Sequence, residues 1–240
     1  MIANFFRIKF FFLLCFFVPA HTNSLESPRP LAKPEIKISG YKDVFEQVKK
    51  QNWSMALAVA SDYKNSTLTS YIKWLDITRP GSNHKFDFLV NFYQNHKHWP
   101  KKEKIIEKIE SSIDKSINPL EIINWFQNNP PLTSKGEIDF LESKLKIGDS
   151  SEKIKSIKTI WINKNLTFKQ QKYFIRKYSR FWSQEDNWKR FNRLIYEGKN
   201  ISARRTLNRI YGDLRKLGDA RLSLSQRSAN VSELINKVPA

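Results

Sequence analysis

The chain has a single cysteine, Cys15, and it lies within an apolar run near the N-terminus. Beyond that run there is no thiol, which excludes disulfides, cysteine metal ligands and a cysteine nucleophile. Glycine loops that cradle phosphates are missing, as are the Gly-x-Ser-x-Gly elbow and the Lys-Thr-Gly of penicillin-binding enzymes. Ser-x-x-Lys occurs at Ser39, Ser61, Ser70, Ser82, Ser112, Ser143 and Ser150, and so many matches in a Ser- and Lys-rich chain are background. No stretch alternates apolar and polar residues between Asn-Gly-type turns, so strands are not expected. No cofactor and no metal is implied. His96 and His98 are the only clustered histidines, and a spacing of two points them to different faces of a helix.

What is present begins with a leader. Arg7 and Lys9 precede the nine-residue apolar run Phe10 to Val18, and Val18-Pro19-Ala20 supplies small residues at a cleavage site. A helix needs ~20 apolar residues to cross a hydrocarbon core of roughly 30 Å, so the run is too short to span. Residues 1–20 read as a secretory signal peptide, with a periplasmic protein as the expectation. Cys15 has Leu13 and Leu14 before it, where a lipoprotein would have small residues.

Charge is the strongest compositional signal. The formal net charge is +19, and loss of Arg7 and Lys9 with the leader leaves +17. Such a surface suits a nucleic acid, an anionic membrane or an acidic polymer, and export argues against the first. Arginine concentrates at one end: ten of thirteen lie between Arg176 and Arg227. Arg190, Arg193, Arg204 and Arg205, interleaved with aromatics over residues 181–207, are the weak candidates for ligand contact. Trp188, Phe191, Leu194 and Ile195 have the spacing of a buried stripe, which puts Arg190 and Arg193 beside or opposite it, on the surface.

Residues 21–40 carry the prolines of SPRPLAKP and no apolar periodicity, and read as a linker. From Tyr41 to residue 240 the pattern is helical. Lys104 to Ile117 places Ile105, Ile109, Ile113 and Ile117 on one face. Pro80-Gly81, Trp99-Pro100, Pro119, Pro130-Pro131, Gly136, Gly148, Gly198, Gly212 and Gly218 punctuate it into helices of about 10–16 residues. Gly148 and Gly198 suit the left-handed position that ends a helix. They also mark a repeat, since Leu145 to Trp161 can be laid on Ile195 to Tyr211 at an offset of fifty residues. Trp53 to Tyr63 resembles the second helix of that unit. The fold expected is all-α, a superhelical array (α-solenoid) of short antiparallel helices.

Carboxylates at Glu137, Asp139, Glu142, Glu185 and Asp186 gather near helix starts, where they complement the dipole. None is therefore singled out as a catalytic acid.

The order of several features carries a resemblance. WSMALAVA (53–60) is followed by YIKWL (71–75), then by Trp99-Pro100 and by WFQNNPPLTSKG (125–136). Gly148-Asp149 before a helix ending in Trp161 comes next, then RFNRLIYEG (190–198) and Ala203-Arg204. Together these resemble the N-terminal superhelical, U-shaped region of the soluble lytic murein transglycosylases, periplasmic enzymes that cleave peptidoglycan glycan strands. The resemblance implies a helical scaffold associated with peptidoglycan glycan strands or cell-wall proteins, and not with nucleic acid. It covers most of residues 41–239. The family's catalytic Glu-Ser pair and its Gly-Leu-Met-Gln stretch have no counterpart here: the Glu-Ser pairs of the helical region are Glu110-Ser111 and Glu142-Ser143, and nothing like Gly-Leu-Met-Gln follows either. No catalytic residue is carried over. The alternative expectation is the N-terminal piece of a split or truncated transglycosylase, with its catalytic domain encoded elsewhere.

Overall fold

The computed structural model describes residues 38–239. The leader expected over residues 1–20, and the expected linker as far as residue 37, lie outside the described residues. The last linker residues belong instead to a 3-10 turn, Ile38–Tyr41, that leads into the first helix.

The described residues form thirteen α-helices and no strand. The first seven are α1 (Lys42–Lys49), α2 (Trp53–Asp62), α3 (Ser66–Thr78), α4 (Phe86–Asn95), α5 (Lys102–Ser112), α6 (Pro119–Asn128) and α7 (Ser134–Lys146). The rest are α8 (Lys153–Asn163), α9 (Phe168–Tyr178), α10 (Gln184–Tyr196), α11 (Asn200–Leu207), α12 (Gly212–Ser225) and α13 (Val231–Asn236). None of them is long and apolar enough to cross a membrane. Their starts follow local chemistry. Asn52, Asn65, Asn118 and Thr133 each accept a backbone N–H in the first turn of α2, α3, α6 and α7. Thr167 with Gln170, and Ser183 with Asp186, form capping boxes that open α9 and α10.

Four of the ends share one geometry. At Gly148 and Gly198 the backbone takes φ of +89° and +69°. The Gly148 N–H donates to Leu145 O and the Asp149 N–H to Lys144 O, while Gly198 and Lys199 donate to Ile195 O and Leu194 O. This is the two-bond closure of a Schellman motif. The same pair of bonds recurs at Gln51 and Arg227, with φ of +56° and +52°. Each of the four turns joins two packed helices: α1 to α2, α7 to α8, α10 to α11 and α12 to α13. The fifty-residue repeat holds at Ile157 and Leu207, and at Ile160 and Ile210, all buried. It fails at its last pair, because Trp161 is buried and Tyr211 exposed: α11 stops at Leu207, where α8 runs on to Asn163.

Packing is local along the chain. The substantial helix contacts are between neighbours or between next-but-one helices, as in α3 with α5, α5 with α7, α8 with α10 and α10 with α12. The core follows suit as four successive clusters. Val44 to Ile72 fill the first, Ile77 to Phe126 the second, Ile138 to Tyr178 the third and Phe191 to Leu222 the fourth. The protein is thus an all-α array of short helices.

Two expectations need correction. Helix α5 ends at Ser112, so Ile113 and Ile117 pack from the following loop instead of extending its face. Lys135 Nζ takes up the exposed end of α5, donating to Glu110 O at 3.0 Å and Ile113 O at 2.6 Å. Asp114 then turns the chain by accepting from the Ser116 N–H at 2.8 Å. Gly136 and Gly218 do not break helices either; both lie buried inside them, α7 and α12. Gly136 makes room for a carboxyl group. Glu110 is 0 % exposed and reaches back to the start of α7, accepting from the Leu132 N–H at 2.6 Å, the Thr133 N–H at 2.7 Å and the Thr133 hydroxyl. Helices α5 and α7 therefore cap each other, an anion on one helix start and a cation on the other helix end.

Candidate functional site

The four candidate arginines do not form one surface. Arg190 is 0 % exposed, which overturns its expected surface position. Its Nη1 donates to Trp161 O and, at 3.0 Å, to Lys164 O, and the guanidinium lies over the Trp161 ring at 4.4 Å. Arg193 works on the same helix end: Nε donates to Ile162 O at 2.6 Å and Nη2 to Lys164 O at 3.3 Å. The pair thus caps the C-terminus of α8 from α10, a role that arginines three apart on a neighbouring helix can fill together. Burial, with Arg193 and Arg205 nearby, pulls the Arg190 guanidinium down to about 9. Hydrogen bonds from Lys199 and Arg193 hold the Glu197 carboxyl at about 2. The stripe of Phe191 and Leu194 is buried as expected, with Trp188 and Ile195 half-buried beside it.

Arg204 is exposed and donates to Gln226 Oε1 at 2.7 Å. Arg205 opens onto a concave surface. This is a groove of about 790 Å³ between α9, the start of α10 and the end of α11. Its cations are Lys172, Arg176, Arg205 and Arg209, and no carboxylate lines it among the described residues. None of the four forms an ion pair within the described residues, whereas Lys158, Lys164 and Lys177 do. Phe168, 65 % exposed, and Tyr211, 71 % exposed, bring aromatic faces to the same groove.

The groove rests on a stack. Trp182, which lines it, lies parallel to Trp161 at 4.4 Å and to Phe174 at 5.9 Å. Asn187 Oδ1 accepts the Trp161 indole N–H at 2.9 Å. Arg190 over Trp161 completes the support from behind. The buried arginine therefore holds the floor, and Arg205 meets solvent.

The remaining candidates are structural. Glu137 pairs with Lys164 at 2.6 Å, Asp139 with Lys135 at 2.6 Å and Asp186 with Lys158 at 3.0 Å, and Glu185 is exposed. His96 lies between Phe92 O and Ser70 Oγ, and His98 is exposed. The described residues contain no cluster of three or more potential metal ligands.

Glu142, of the Glu142-Ser143 pair, is a strut between α7 and α9. It accepts from Tyr173 Oη at 2.5 Å, Tyr178 Oη at 3.2 Å and Lys177 Nζ at 3.0 Å. Burial, and then the charge of Glu142, push the Tyr178 phenol up to about 12 from an ordinary 10.0. The unfolded phenol loses its proton first, so the folded state binds more protons across this window. Its contribution is complete below pH 10 and is lost as pH rises towards 12. The stability advantage of the wild type over Tyr178→Phe, read from urea midpoints, should therefore shrink between pH 9 and pH 11.5. A constant gap would show that the phenol is not held protonated by this network.

Sequence reasoning missed the groove because its lining comes from three separated segments, 168–179, 182–187 and 205–211. The available signal was the pair of aromatics, Phe168 and Tyr211, left outside the buried stripes. Against known proteins, no family model, no curated protein and no solved structure matches the chain.

Proposed function

We propose that this chain is a periplasmic helical scaffold that associates with peptidoglycan, similar to the non-catalytic superhelical region of soluble lytic murein transglycosylases. The leader over residues 1–20 supports export. Packing confined to neighbouring and next-but-one helices, with the core strung out in four clusters, supports a solenoid. The observation that carries the reading is the groove: four cations and two exposed aromatics without a carboxylate among the described residues. The purified chain should sediment with peptidoglycan sacculi at about 50 mM salt and be largely released at about 500 mM, where exposed charges are screened within a few ångströms. Failure to sediment at the lower salt would rule the reading out.

A second reading rests on the order of features from WSMALAVA to RFNRLIYEG. It makes the chain the N-terminal piece of a split lytic transglycosylase whose catalytic domain is encoded separately. A Glu-Ser and Gly-Leu-Met-Gln segment encoded downstream of codon 240 would favour it. Neither reading places catalysis on this chain, so clearing of a peptidoglycan zymogram by the purified protein would overturn both.

A further inference from the structure

Resting on the envelope reading above, we propose that the α9–α11 groove is a subsite for an acidic polysaccharide, binding its carboxylates through arginine and its sugar faces through Phe168 and Tyr211. The hydrogen-bonding polarity of the lining is the main argument. Gln171 Oε1 accepts from Arg205 Nε at 3.0 Å, Gln184 Oε1 from the Tyr211 N–H at 3.1 Å, and Asn208 Oδ1 from Arg215 Nη1 at 3.5 Å. Each of these three amide oxygens is engaged within the protein and its NH₂ is left as a donor, while the fourth lining amide, Asn187, is engaged at both ends. With the four cations, donors outnumber acceptors in the groove, whose other polar side chains are the Ser179, Ser183 and Tyr211 hydroxyls. Its ligand has to bring acceptors and negative charge.

Arg205 is already oriented for such a ligand. Gln171 and Ser202 fix its Nε and Nη2, and the guanidinium sits over the Phe168 ring at 5.5 Å. Its Nη1 makes no hydrogen bond among the described residues, so one edge of a planar donor is held ready for a carboxylate oxygen. The neutral amide donors share the groove with the cations and suit hydroxyl and carbonyl oxygens beside the charges. That combination is what an acidic polysaccharide presents, a carboxylate beside free ring hydroxyls, in contrast to a DNA strand, whose deoxyribose hydroxyls are esterified. Two large aromatic faces, exposed side by side with these donors, suit sugar rings, whose C–H faces are apolar.

The test uses the purified chain with polygalacturonate, with the same polymer after methyl esterification, and with oligothymidylate, at low salt. Esterification should weaken binding by about tenfold or more, the loss of a charge-assisted hydrogen bond. Arg176 and Arg209 are exposed, so Arg176→Gln/Arg209→Gln should leave the helical circular dichroism intact and weaken binding to polygalacturonate by about tenfold. Lys49→Gln/Lys50→Gln, which removes equal charge far along the chain, should change it by less than about twofold. Binding should also perturb the fluorescence of Trp182, which lines the groove. Equal affinity for the esterified polymer, tighter binding of oligothymidylate, or equal loss in the two double variants would each overturn the proposal. Sacculi that retain Arg176→Gln/Arg209→Gln as well as wild type would sink the groove and leave the scaffold reading standing. Polygalacturonate binding without sacculus binding would do the reverse.

Discussion

Replacing Glu110 by alanine should cost the fold about 3–5 kcal/mol, the range for taking one partner from a buried, hydrogen-bonded charge site. The carboxylate is 0 % exposed and accepts the Leu132 and Thr133 N–H groups and the Thr133 hydroxyl, at the start of α7. Without it, two backbone donors lose their partner where water does not reach, at about 1–3 kcal/mol each. A cavity between α5 and α7 adds to the loss. Gly136 gives the prediction a second handle. A Cβ there would sit 2.5 Å from the Glu110 carboxyl group. Flexible side chains usually yield to such a methyl, but this one is pinned by its three donors. Gly136→Ala gains about 1 kcal/mol in helix propensity, yet should lose about 1–3 kcal/mol from the overpacked contact. In the Glu110→Ala background the carboxyl is gone and the same alanine should become stabilising. Urea unfolding of the four proteins in this cycle measures the coupling directly. An identical Gly136→Ala effect in both backgrounds would show that the carboxyl contact is not what requires glycine.

The sequence pattern made the helices legible wherever burial and local chemistry agree. Phe191 and Leu194 at helical spacing are buried, and Pro119 opens α6 as its missing N–H permits. Gly148 and Gly198 end helices because the left-handed turn favours a residue without a Cβ. Gln51 and Arg227 make the same turn with side chains, so no glycine marked them. A turn of this kind is set by hydrogen bonds to the previous helix, and many sequences tolerate it at a modest cost. The polar residues were less legible, since a charged side chain shows its charge in the sequence and hides its partner. Glu110 and Arg190 look like solvent-facing residues of amphipathic helices. Each is buried because it satisfies the end of a helix about 25 residues away in the chain. The groove was hidden for the same reason: Arg205 and Arg209 are four apart in the chain, but Lys172 and Arg176 join them only where α9 meets α11.

Arg190→Met should destabilise the protein by about 2 kcal/mol, a net of two opposed effects. Methionine fills much of the volume and removes a cation that burial penalises, as the depressed guanidinium shows. Against this, Trp161 O and Lys164 O lose the donor that caps α8. The ring of Trp161 also loses a stacked cation, and buried stacking of this kind contributes about 2 kcal/mol. The two effects separate with pH. Burial lowers the guanidinium to about 9 in the folded protein, well below its ordinary value in the unfolded chain, so the unfolded state binds more protons as pH rises past 9. Wild-type stability from this residue therefore rises with pH through the window, and Arg190→Met lacks the rise. The gap between the two proteins should widen from pH 8 to pH 10.5, with alkaline effects common to both, including the loss at Tyr178, cancelling in the difference. A gap that stays constant would mean that Arg190 keeps its proton throughout, with the α8 carbonyls and the Trp161 face together replacing the water it gave up.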